Sequence, residues 1–182
     1  MNTGLRGVPV VVAAAWTLAS CSSAAKDVVP QPEAEQVVSA ALKKLYMAAA
    51  AAPPQSQAQQ NVLLQMAEKA SNGKELLLVL RAAVGAFPAG TAEREHPAES
   101  RIVSIVTAKM MELGTLDQLI ECATGYSVNP ESARPFVQQM FQLAGQNSPA
   151  RVWYRIRIAA SHLKVGDLER QAQARGDQLA GR

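Results

Sequence analysis

Apolar side chains recur at three- and four-residue steps through most of the chain, the period of an amphipathic α-helix. From Glu33 to Ala52 the spacing predicts a helix with Val37, Ala41, Leu45 and Ala48 along one face; Leu42 and Tyr46 stand beside it, and Pro53-Pro54 ends it. A second helix is expected from about Gln55 to Ser71, with Val62, Leu63, Met66 and Ala70 inward, before the Asn72-Gly73 turn. "KELLLVLRAAVGAF", residues 74–87, is the most apolar segment beyond residue 21, and it predicts a central helix with Leu78 and Leu80 in the core. A polar loop with two prolines follows, and Ser100 or a neighbour opens "RIVSIVTAKMMEL". Thr115 is placed to cap "LDQLIECATGY". "ARPFVQQMFQLAG" tolerates Pro135 in its first turn, and Ser148-Pro149 starts "ARVWYRIRIAASHLKVG". A last, weakly apolar helix from Asp167 is expected to fray.

Together these predict an all-α fold: an array or bundle of antiparallel hairpins with about seven or eight helices. Three turns share a glycine, at 73, 114 and 166, with spacings too unequal for a strict tandem repeat. Stacked hairpins bury one another's faces whether or not they repeat. The last unit has Trp153 and Tyr154 early in its first helix and Gly166-Asp167 before Leu168. It resembles a tetratricopeptide hairpin, over that hairpin alone; the span from Trp153 to Gly166 is longer than the family's, and the family's terminal proline is absent.

A different pattern occupies the start. One basic residue, Arg6, precedes an apolar run from Val8 to about Leu18, and small residues then lead to Cys21. That is the zone order of a secretory signal, whose apolar region spans about 7–15 residues. The run is shorter than the roughly 20 apolar residues a spanning helix needs. Leu18, Ala19, Ser20 and Cys21 resemble the lipobox of bacterial lipoproteins. The resemblance implies cleavage before Cys21 and lipidation of its sulfur. With Ser22 next, it implies retention at the periplasmic face of the outer membrane. Residues 1–20 then form the signal and 21–34 the lipidated cysteine with a flexible, proline-containing tether. Residues 35–182 form one all-helical domain.

Composition and charge refine this reading. The chain is 48% hydrophobic but only 4% aromatic, and rich in helix-forming residues. Removing Arg6 with the signal leaves 17 basic against 15 acidic side chains. Lipidation of Cys21 would leave Cys122 without an intramolecular disulfide partner. Neither CxxC, HExxH, GxSxG nor a Walker loop occurs. His96 and His162 are far apart, and neither has a second ligand at helical spacing, so no metal or other cofactor is expected. Cys122 sits at the edge of an apolar stripe without a neighbouring base, and Glu93 and Glu95 lie in a loop. The expectation is a protein without enzymatic chemistry.

Charge is uneven along the chain. Residues 131–182 carry eight basic and four acidic side chains, whereas residues 21–130 carry nine and eleven. Arg151, Arg155 and His162 share one face of the seventh helix, with Tyr154 bordering the row and Trp153 on the far edge of the apolar stripe. These four polar and aromatic residues, Arg151, Arg155, Tyr154 and His162, make a candidate face for an acidic partner. Nucleic acid is disfavoured by an address outside the cytoplasm. The favoured function is a lipid-anchored envelope adaptor that joins the membrane, through Cys21, to an envelope protein. The alternative is a carrier that holds a hydrophobic small molecule or lipid between helices, with Met47, Met66, Met110, Met111 and Met140 giving a plastic interior.

Overall fold

The computed structural model describes residues 37–87 and 97–181. Leu18, Ala19, Ser20, Cys21, Glu93, Glu95 and His96 lie outside the described residues, as do the expected signal and tether. Among the described residues the chain forms eight α-helices and no strand: α1 Ala40–Ala51, α2 Gln57–Lys69, α3 Gly73–Ala86, α4 Pro97–Leu113, α5 Leu116–Gly125, α6 Ala133–Ala144, α7 Ala150–His162 and α8 Gly166–Leu179. Local sequence explains most starts. Ser39, Ser56, Asn72 and Thr115 each accept a hydrogen bond from the backbone N–H three residues on. Gln118 answers Thr115 by accepting from its N–H at 2.9 Å, a reciprocal cap.

The described residues all belong to one compact unit. Within it each helix packs on the next, and α1 with α3, α2 with α4, α3 with α5, α4 with α6, and α5 with α7 also touch. The result is a two-layer array: α1, α3, α5 and α7 form one layer, α2, α4 and α6 the other. The helix α8 closes the C-terminal end by packing extensively on α7. The core runs continuously between the layers through Leu42, Leu63, Met66, Leu76, Ile102, Met110, Leu119, Phe136, Met140 and Ile156. Met66, Met110 and Met140 are fully buried there.

Four expectations need correction. In α1 the inward residues are Leu42 and Ala49, with Val38 and Leu45 partly covered, whereas Val37, Ala41 and Ala48 are exposed. The stripe is rotated by one residue, because an alanine-rich helix offers little contrast between its faces. Helix α4 begins at Pro97, earlier than Ser100; proline suits a first turn, where its missing N–H has no intrahelical partner. Leu80 is in the core, but Leu78 is only half-buried. Finally, α8 is no fraying end, since Leu168, Ala172 and Gly176 are buried against its neighbour.

One buried charge ties the N-terminal end together. Glu75, in the first turn of α3, is 1% exposed, and its carboxylate accepts from the N–H of Ser39 (2.8 Å) and from both the N–H and Oγ of Ser71 (2.8 and 2.9 Å). Burial pushes its pKa up, but the hydrogen bonds from Ser39 and Ser71 outweigh that and bring it down to about 2. The start of α1 is thereby fastened to the turn between α2 and α3.

Candidate interaction face

Helix α7 is entered through Ser148, whose Oγ donates to the carbonyl of Ala144, and Pro149. Trp153, Ile156, Ala159 and Ala160 turn inward, and Trp153 meets Phe141 of α6 edge-on at 5.3 Å between ring centroids. That contact gives Trp153 a core role and directs the opposite side of α7 to solvent. Arg151, Arg155, Ile158 and His162 are all exposed on that side, with Ile158 at 43%.

Two members of the expected row are engaged within the fold. Tyr154 is half-buried against α8, where its Oη donates to Asp177 Oδ1 at 2.9 Å. Its ring lies so close to Gly176 that a Cβ there would meet Cε1 at 2.8 Å. Tyr154 therefore holds α8 on α7 and does not belong to the open face. Arg155 pairs with Asp117 of α5 at 2.5 Å, and both side chains remain substantially exposed. Its charge is already answered, so the face is mixed in sign, not simply basic. Arg151 makes no ion pair with a described residue.

The Arg155–Asp117 contact continues across the layer. Glu121 stands one turn beyond Asp117 on α5 and pairs with Arg81 of α3 at 2.8 Å. Arg81 Nε also donates to Tyr126 Oη at 3.0 Å, and this hydrogen bond, followed by the one to Glu121, holds its pKa above the ordinary value. One turn after Arg81, Val84 is 57% exposed. The outer surface of α3, α5 and α7 thus carries two ion pairs whose acidic members sit together on α5, with exposed apolar side chains on α3 and α7. Exposed ion pairs are each worth only about 0–1 kcal/mol, so they contribute orientation more than stability.

The sequence singled out neither Ile158 nor the acidic half of these pairs. Ile158 stands three residues beyond Arg155 on the same face, and Asp117 and Glu121 are four apart on one helix. Those signals were present, but the pairings join residues 38 and 40 positions apart, which no local pattern encodes.

Reactive groups contribute little to this surface. Cys122 is 1% exposed, and burial first, then the charge of Glu121, pushes its thiol up to about 12. It stays protonated and enclosed at neutral pH, unlike a working nucleophile. Among the described residues, no group of three His, Cys, Asp or Glu side chains could hold a metal ion, and no helix is long and apolar enough to cross a membrane. The face itself presents an exposed apolar side chain, Ile158, beside Arg151, which makes no ion pair with a described residue. No protein-family model matches the chain, and no curated protein or solved structure is significantly similar to it.

Proposed function

We propose that the chain is a lipid-anchored adaptor of the bacterial cell envelope that holds a protein partner on the outer surface of α3, α5 and α7. The observation that carries the docking half is Ile158, an exposed apolar side chain flanked by Arg151 and Arg155 on a helix set by its core contacts. Arginine is enriched among interface hot spots, an exposed apolar side chain beside it adds area that a partner can bury, and a surrounding charged rim sets register. The anchor half rests on the Leu18-Ala19-Ser20-Cys21 lipobox and the apolar run before it. By the same resemblance the address is the periplasmic face of the outer membrane.

Two measurements test the two halves separately. Cys21→Ser should leave an uncleaved precursor that takes up no acyl label, and labelling at the wild-type level overturns the anchor. Affinity capture from envelope extracts should recover a protein partner with the wild-type chain and lose it with Arg151→Ala/Ile158→Asp. Both substitutions are on exposed positions, so stability should change by about half a kcal/mol or less. Recovery should also fall as salt rises. Equal recovery with both chains removes this face from consideration.

A further inference from the structure

The two ends of the array are finished differently. At the C-terminal end, α8 buries Leu168, Ala172 and Gly176 and turns Arg170, Gln171 and Gln178 to solvent. That is the polar outer face a terminal element of a stacked array needs. At the N-terminal end the outer face of α1 is instead mixed, apolar side chains with two lysines. Only Leu42 and Ala49 are buried in this helix, and the side farthest from them carries Ala40, Lys44, Met47 and Ala51 at steps of three and four, with Lys43 alongside. Met47 is 67% exposed, and α1 contains no acidic residue.

Charge and position together select an occupant. A second copy packed symmetrically on this face would gather two pairs of lysines in one interface with no acidic residue in either α1 to answer them, which disfavours self-association. An anionic surface is attracted by the same lysines, whose aliphatic stems can lie along the apolar stripe while the ammonium groups reach headgroups. The face also begins 19 residues after Cys21. Eighteen intervening residues reach at most about 60 Å when fully extended, so a lipid on Cys21 keeps α1 close to the bilayer and raises its effective concentration there.

We propose that the Lys43–Lys44–Met47–Ala51 face of α1 rests on the anionic membrane surface to which Cys21 is attached, leaving the α3–α5–α7 surface for the partner. This rests on the lipid-anchor reading above. The test uses the protein purified from its membrane, with acylation of Cys21 verified by mass spectrometry. It is reconstituted into vesicles of phosphatidylcholine alone or mixed with phosphatidylglycerol. A fluorophore is attached at Ala48→Cys on α1 or at Gln171→Cys on α8, the enclosed Cys122 remaining unlabelled.

Headgroup-quencher lipid should quench the α1 probe in anionic vesicles and leave the α8 probe bright. Lys43→Gln/Lys44→Gln, or high salt, should weaken the association by about tenfold or more. Quenching absent at α1, equal at both probes, or indifferent to the lysines overturns the proposal. So does a lipid-independent dimer that shields the α1 probe. Should Cys21 prove unacylated, the anchor reading fails by itself. The proposal for α1 then stands or falls on whether protein added to preformed vesicles still prefers anionic over neutral lipid through these lysines.

Discussion

Glu75 and Cys122 are the two buried titratable side chains whose chemistry departs furthest from ordinary values. The Glu75 carboxyl lies at about 2, below the 4.5 of an unperturbed group. Its stabilising contribution is therefore complete above about pH 4.5 and is lost as pH falls towards 2. A shift of that size corresponds to about 3 kcal/mol, which should appear as a falling urea midpoint through that acid window. Glu75→Gln presents an amide to donors that need an acceptor. It should lower stability at pH 7 by roughly 2–3 kcal/mol and flatten the pH dependence. An unchanged profile would separate Glu75 from the acid response. Cys122, held at about 12, should resist thiol reagents in the native state and react fully once the chain is unfolded. A native reaction at the rate of a free thiol would show that the α5 stripe is open.

Helices are the most legible elements in this sequence, and their pairings the least. The Thr115 cap and the proline-marked entry to α7 are local chemistry, and both stand where the residues place them. In α1 the expected face is off by one residue because neighbouring alanines make every orientation look similar. The Tyr154 contact is invisible for another reason: it depends on Gly176, which is 22 positions away and whose role lies in what it lacks. A glycine inside a helix costs about 0.5–1 kcal/mol relative to alanine. Gly176→Ala should nevertheless destabilise the wild-type chain, because the added methyl meets the Tyr154 ring at 2.8 Å. In a Tyr154→Ala background the same change should be neutral or stabilising. A double-mutant cycle by chemical denaturation reads the difference, and additivity would mean the ring yields without cost. Helix α3 offers a second comparison. Leu80→Ala should cost about 2–5 kcal/mol and Leu78→Ala clearly less, since only the former side chain is enclosed.

At the scale of the whole described array, protection is expected to be graded from the middle outward. Helices α3, α4 and α5 each pack on four others, whereas α1 packs on two. Amides of these three central helices should exchange slowest and those of α1 much sooner, as measured by native-state hydrogen exchange; uniform protection would instead indicate one cooperative block. The next-and-next-but-one pattern of packing also bears on how the chain assembles. Side chains linked by ion pairs between helices are at most 40 positions apart, so no helix waits for a distant stretch of sequence before finding its neighbours. Topologies of such short reach close their loops early and refold on microsecond-to-millisecond scales. A chain delivered from a narrow pore with its first residues leading could therefore begin knitting α1, α2 and α3 together while α8 was still on the other side.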